Sequence, residues 1–366
     1  MTTPRRTKVL IIEDSPVVQE LLCHIVGQDP RLEVTGVAAS GEQALRMLDR
    51  IHPDVVSLDI RLPGMDGFQV TQQIMRHRPT PIVVVASAST DAAMPMKALQ
   101  AGALAVVEKP GGLSRGDYQA LSRHLCTQLY SMSQVKVIRQ RITRPERGPP
   151  VRGNGRMPAP ADGPSPFASA PAQRVYKALG IATSTGGPNA LVKLLGGLGG
   201  LPPLPVLLVQ HIGAPFVAGF ASWLGSVCPF PVVVAENGAF PMPGTIHMAP
   251  GDRHLSLTPT GRIVLTDDPP QCGQRPSGDV MFEAMAATYG PGGLGVILTG
   301  MGEDGARGLL AMRRAGAYTI AEHASTAVIH GMPGAAVRLG AALEELPLDD
   351  IPARLLHLVQ NPTESP

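Results

Sequence analysis

The chain has 366 residues, enough for two domains, and at 44% hydrophobic and 16% charged it has ample material for packed cores. Its formal net charge of +2 gives no general case for binding nucleic acid. No uninterrupted apolar run approaches membrane-spanning length, and Glu13 and Asp14 follow the basic N-terminus too soon for a secretion signal. A cytoplasmic protein without direct membrane insertion is therefore expected. Cys23, Cys126, Cys228 and Cys272 form no CxxC or metal spacing, and read as free, mostly buried thiols.

In chain order, KVLII (8–12) is a short apolar strand ending in Glu13-Asp14, and VVQELLCHIV follows with helical spacing. DVVSLD (54–59) is a second strand and ends at Asp59. PIVVVASA (81–88) is a third, with Ser87 near its end, and GALAVVEKP (102–110) is a fourth, with Lys109 just past it. Strands alternating with helices imply a parallel sheet, and such sheets gather ligands at the carboxyl ends of their strands. Here those ends hold three carboxylates, a hydroxyl and an ammonium. Clustered carboxylates repel, so they call for a hard cation, and oxygen ligands suit Mg²⁺. A carboxylate beside that cation can attack a phosphoryl donor, while Ser87 and Lys109 bind the phosphoryl oxygens. Any one of these residues alone is an ordinary cap or turn residue.

The pieces IIEDS, SLDIRLPGMDG, ASAS and EKP make residues 6–128 resemble the receiver domain of two-component response regulators. The resemblance implies a flavodoxin-like fold, Asp59 as phosphoacceptor, and Glu13, Asp14 and Asp59 as the metal-site acids. Glu13 stands where many receivers have Asp, and Ser87 where others have Thr.

Residues 143–173 hold eight prolines and four glycines. So little apolar bulk cannot fold alone, which marks a linker, taken as 129–173 between domains at 1–128 and 174–361. Lys136, Arg139, Arg141, Arg144, Arg147, Arg152 and Arg156 make its start basic, as a solvated helix end and linker would be.

Beyond it, the apolar run Val175–Ile181 leads into ATSTGGP, with Ser184 at the turn. VLLVQ (206–210) precedes His211, and GVILTGMGEDGARG (295–308) carries Asp304 in a glycine-rich turn. If these strands are parallel neighbours, a hydroxyl, an imidazole and a carboxylate reach one sheet edge, the types a serine hydrolase triad needs. Ala182-Thr183-Ser184-Thr185-Gly186 is close to a nucleophile elbow, and amides at the following helix start could stabilise an oxyanion. A phosphate loop is the competing reading, weakened because no lysine follows the glycines. A non-catalytic binding module also stays open, whereas no helix-turn-helix pattern supports a DNA-binding output. His247, His254, His323 and His330 compete with His211 for the role of base.

ATSTGGP, VQHI, MAPGDRHL, RPSGD and LTGMGEDGARG make residues 174–340 resemble the catalytic domain of the chemotaxis receptor-glutamate methylesterases, in which a receiver, a linker and this domain follow in this order. The resemblance implies two doubly wound parallel-sheet α/β domains. It implies Ser184, His211 and Asp304 as the catalytic residues, with Thr185 and Met301 beside the site in oxyanion or substrate roles. Arg275, Pro276 and Ser277 match a loop bordering the cleft. It further implies ester hydrolysis on the cytoplasmic domain of a methylated chemoreceptor, deamidation of selected glutamines, a histidine kinase as phosphodonor, and no cofactor for the hydrolysis. The same esterase in a non-motility receptor pathway remains an alternative. Ala182 stands where the family usually has Gly, Gly278 where a branched residue is usual, and His323 and His330 where a carboxylate and an aromatic are more common.

Overall fold

β1 (Thr7–Ile12), β3 (Val55–Asp59) and β4 (Ile82–Ala86) are buried almost end to end, as parallel strands covered by helices on both faces must be. With β5 (Ala105–Glu108) and β2 (Leu32–Ala38) they form a parallel five-stranded sheet in the order β2-β1-β3-β4-β5. β2 is a fifth strand where the sequence suggested four. It lies at the edge, and its mixed burial hides it from a search for apolar runs. The helices are α1 (Pro16–Gln28), α2 (Gly41–Ile51), α3 (Gly67–His77), α4 (Ala93–Gln100) and α5 (Arg115–Ser133). α5 runs five residues past the boundary expected at 128, because Leu129 and Met132 are buried against the sheet.

The computed structural model describes residues 5–87, 93–110, 115–135, 175–199 and 204–361, so most of the expected linker lies outside the described residues.

The second region forms a seven-stranded parallel sheet, in the order β14-β13-β12-β6-β7-β9-β8. Its strands are β6 (Ala178–Thr183), β7 (Val206–Gln210), β8 (Val232–Val234), β9 (Ile246–Met248), β12 (Gly293–Ile297), β13 (Tyr318–Glu322) and β14 (Glu344–Leu346). An antiparallel hairpin, β10 (His254–Leu257) with β11 (Ile263–Thr266), stands apart from it. The covering helices are α6 (Gly187–Gly197), α7 (Val217–Val227), α8 (Gly278–Tyr289), α9 (Ala306–Arg314), α10 (Met332–Arg338) and α11 (Ile351–Gln360). The chain leaves β6 toward β7 on one side and later returns to β12 on the other. The carboxyl ends of β6, β7 and β12 therefore surround a topological switch point, where such sheets bind ligands.

Met96 and Leu99 of α4 share one continuous apolar cluster with Leu191, Val217 and Phe220 of α6 and α7. The receiver-like unit thus packs its α4 side onto the second domain. Among the described residues no helix is long and apolar enough to cross a membrane. All four cysteines are free, but only Cys126 is fully buried; Cys272 is exposed, against the expectation of mostly buried thiols.

Candidate active site and phosphoacceptor pocket

Ser184 directly follows β6, where backbone bonds fix it on both sides. Its amide donates to Thr299 O at 3.0 Å, and its carbonyl accepts from Gly187 N at 2.9 Å. Gly186 takes φ of 79° to turn the chain into α6, and a Cβ there would fall 2.6 Å from Val328, so this position requires glycine. Pro188 occupies the first turn of α6, as the sequence suggested.

His211 directly follows β7, with its amide bonded to Thr183 O at 3.0 Å. Its Nε2 lies 2.8 Å from Asp304 Oδ2, and both side chains are almost fully buried. The His211 Nδ1 is buried without a hydrogen-bond partner, which leaves it as the nitrogen to take a proton. Ser184 and His211 line one cavity of about 320 Å³. No bond joins them among the described residues; such contacts often tighten only with substrate bound.

Asp304 lies behind His211, in the turn that precedes α9. Its Oδ2 also accepts from Gly278 N at 2.6 Å, and its Oδ1 from Ser277 Oγ at 2.5 Å and Asp279 N at 3.3 Å. Burial alone would raise its pKa. The His211 bond and charge, with the Ser277 and Gly278 donors, outweigh burial and hold it below the ordinary carboxylate value. An aspartate so held stays ionised and orients one imidazole tautomer.

Thr185 and Met301, the two neighbours singled out in the sequence, both line the cavity. The Ser184 amide is spent on Thr299, but the Thr185 amide has no protein acceptor among the described residues, as an oxyanion donor requires. Met301 Sδ accepts from Ser131 Oγ of α5 at 2.8 Å, so this residue touches the receiver-like unit. The cavity is a shared one: Leu99, Val106, His124 and Gln128 wall it from α4, β5 and α5.

Two residues the sequence did not single out tie the site together. Gln210 Nε2 donates to both Ser184 O and His211 O, at 2.9 and 3.0 Å. Thr299 Oγ1 donates to Thr185 O at 2.8 Å and accepts from Ile329 N, while its carbonyl takes Thr183 Oγ1. Of the competing histidines, His323 bonds Ser325, His330 pairs with Glu345, and His247 accepts from Met242 N. The Ala182 and Gly278 departures prove to be one contact: a Cβ at 278 would lie 2.9 Å from Ala182 Cβ and 3.4 Å from Asp304 Oδ2. A methyl at 182 and a branched side chain at 278 therefore exclude each other.

In the first sheet, Glu13 and Asp14 follow β1, Asp59 ends β3, Ser87 follows β4 and Lys109 follows β5. Oxygens of Glu13, Asp14 and Asp59 lie within 4.8 Å of one another, an all-carboxylate set that fits a hard divalent cation. Lys109 Nζ lies 2.8 Å from both Glu13 Oε2 and Asp59 Oδ2. Burial first, and the Asp59 charge after it, raise the Glu13 pKa despite Lys109. Burial would lower the Lys109 pKa, but the two carboxylates outweigh it and raise it.

An acid pocket of receiver type joined to a cleft of serine-hydrolase type defines a response regulator with an α/β hydrolase output. The comparisons with known proteins narrow this class. A response regulator receiver domain family matches residues 9–116, and a CheB methylesterase family matches residues 179–355. A Paramagnetospirillum magneticum protein-glutamate methylesterase/protein-glutamine glutaminase is 50% identical over 97% of this chain and 98% of its own length. A Syntrophus aciditrophicus protein of the same description is 42% identical over 95% and 97%. The solved Thermotoga maritima CheB methylesterase catalytic domain is 35% identical, with 50% of this chain and 99% of that one covered and a TM-score of 0.47. The chain belongs to the family of receiver-linked protein-glutamate methylesterases/protein-glutamine glutaminases, which are hydrolases.

Proposed function

We propose that the protein hydrolyses glutamate γ-methyl esters on the cytoplasmic domain of a chemoreceptor, and deamidates selected glutamines there, under control of its receiver. The observation that carries this reading is that Ser184 and His211, from two neighbouring strand ends, line one cavity, with Asp304 bonded to His211 from behind. Ser184 Oγ attacks the ester carbonyl while His211 Nδ1 takes its proton. Asp304 stabilises the imidazolium through Nε2. The Thr185 amide faces the charge that develops on the carbonyl oxygen. His211 returns the proton to the leaving methoxide, and methanol departs. Water then attacks the acyl-serine, with His211 again as base, and releases the glutamate carboxylate. With glutamine as substrate, ammonia leaves in place of methanol.

In the receiver, Asp59 is the phosphoacceptor for a histidine kinase, and Ser87 and Lys109 contact the phosphoryl oxygens. Glu13, Asp14 and Asp59 would hold Mg²⁺, which supplies charge neutralisation for the incoming phosphoryl group. The α4–β5–α5 side of the receiver walls the cavity, which supports a gate: phosphorylation shifts the population toward an arrangement in which receptor reaches Ser184. The substrate and partners place this work in the cytoplasm.

The test is methanol release from a methylated receptor, with and without a small phosphodonor. Release that depends on Ser184 and rises with phosphodonor supports both parts. A Ser184→Ala variant that still binds receptor, beside an equally inactive parent, would point to a non-catalytic receptor-binding module.

A further inference from the structure

His254 is fully buried at the start of β10, with Nε2 3.2 Å from Pro269 O. Its Nδ1 accepts from Ser277 N, also at 3.2 Å. With Nδ1 accepting, Nε2 carries the proton and donates to the carbonyl, which fixes a neutral tautomer. Ser277 is itself fully buried, and its one hydroxyl proton goes to Asp304 Oδ1. Ser277 Oγ in turn accepts from Asp279 N and Val280 N, so Ser277 also caps the 12-residue helix α8. Every lone pair and proton of the Ser277 side chain is thus committed between the helix start and the carboxylate. Neither His254 nor Ser277 lines the cavity, so neither can touch substrate.

We propose that His254 and Ser277 are positioning residues: a buried chain, His254 to Ser277 to Asp304 to His211, sets the plane and basicity of the carboxylate that serves the catalytic histidine. This rests on the triad reading above and deepens it. A donor on Oδ1 leaves Oδ2 as the oxygen aimed at His211, and it stabilises the ionised form. The other ionisable groups against Asp304 are Asp279 of α8 and Cys272 of the preceding loop, neither of them cationic. Arg307 of α9 lies near Cys272 and Asp279. Ser277 and His211 are therefore the side-chain donors that keep Asp304 charged.

The test uses the full chain and compares Ser277→Ala with Ser277→Gly. Glycine retains most of the helix cap but not the hydroxyl, so it separates the cap from the donor. In both variants kcat should fall by about 10- to 100-fold, the worth of one hydrogen bond to a charged group, with KM unchanged. The acid limb of the kcat/KM profile should move to higher pH, because a carboxylate stripped of a donor holds the imidazolium more tightly. His254→Ala should move both quantities the same way by less. A readout independent of turnover is the NMR shift of the proton shared by His211 Nε2 and Asp304. It should move in Ser277→Gly even in a Ser184→Ala background. An unmoved limb and an unmoved proton, with Ser184→Ala inactive, would overturn this inference alone. Full activity in Ser184→Ala would remove the triad and this inference with it.

Discussion

Glu13 and Asp59 in the first sheet and Asp304 in the second are all buried carboxylates at the carboxyl edge of a parallel sheet, each beside a switch in strand order. Their surroundings differ. Asp304 receives bonds from His211, Ser277, Gly278 and Asp279, and its pKa is held down. Glu13 and Asp59 share one ammonium, Lys109, and the Glu13 pKa is pushed up. The first arrangement holds a charge fixed in place, as the proposed hydrolysis requires. The second leaves charge under-compensated, which is the condition for taking up a cation and a phosphoryl group. One topology thus supports a proton relay or a phosphorylation site, according to how many donors the loops aim at the acid.

The largest effect that could break this comparison is loss of chemistry in one sheet alone. Ser184→Ala and Asp304→Asn should each lower ester hydrolysis by about 10⁴-fold. Phosphate incorporation at Asp59 from a small phosphodonor should be unchanged in both. If Asp304→Asn kept near-parental turnover, the satisfied carboxylate would be structural, and the two sheets would differ in solvation but not in role.

Next in size is Lys109→Met, which removes the cation shared by two carboxylates that are 1% and 5% exposed. Stranding a buried acid in this way costs on the order of 3 kcal/mol. The sign follows from linkage. A carboxylate whose folded pKa is raised binds more protons folded than unfolded, so stability falls as pH rises from the ordinary glutamate value of 4.5 through the folded value. Lys109→Met should steepen that fall in denaturant titrations, and Mg²⁺ should restore stability. The parent's second domain should show no Mg²⁺ effect. Restoration by monovalent salt alone would mean that the pocket is only an exposed acidic cluster.

A third test concerns what the sequence could and could not reveal. Ser184, His211, Asp59 and Lys109 were legible because each ends or directly follows an apolar strand run, and Asp304 because it sits in the glycine-rich turn after one; parallel sheets bring strand ends together. Ser277 and His254 carry no such mark; Gln210 ends β7 and Thr299 shortly follows β12, but neither an amide nor a threonine there points to a triad. Their roles depend on bonds to residues far along the chain, as from Thr299 to Thr185 and Thr183, and no local pattern encodes those. The edge strand β2 was missed for a simpler reason, since partial burial blurs a periodicity, and the end of α5 because the expected boundary stopped short of the buried Leu129 and Met132. Ala182 and Gly278 lay between these cases: each was visible as a departure, but their contact was not. Gly278→Ala should cost about 1–3 kcal/mol by overpacking against Ala182 and should slow hydrolysis through Asp304. Ala182→Gly in the same chain should recover most of both losses. Additive effects in the double-mutant cycle would show that the two positions are independent.

The smallest expected effect lies where the two regions meet. His124 of α5 and Glu108 of β5 both face the second domain, near His211 and Asp252 respectively. His124 is exposed at the rim of the shared cavity, yet the protein atoms crowded on one side of it, and the His211 charge after them, hold its pKa below the ordinary value, so the packed arrangement binds fewer protons there than the separated one. Packing should therefore weaken as pH falls below about 6.5. Burial first, then Asp252, raises the Glu108 pKa, and that contribution has the opposite sign: packing gains as pH falls toward the ordinary glutamate value of 4.5. The two windows differ, so the parent should loosen on mild acidification and recover at lower pH. His124→Gln should show only the tightening, and Glu108→Gln only the loosening. Hydrogen exchange in α5 measures this without using turnover, whose own acid limb would mask changes of a few-fold. Identical exchange profiles in the parent and both variants would mean that the shared cavity wall does not sense protons.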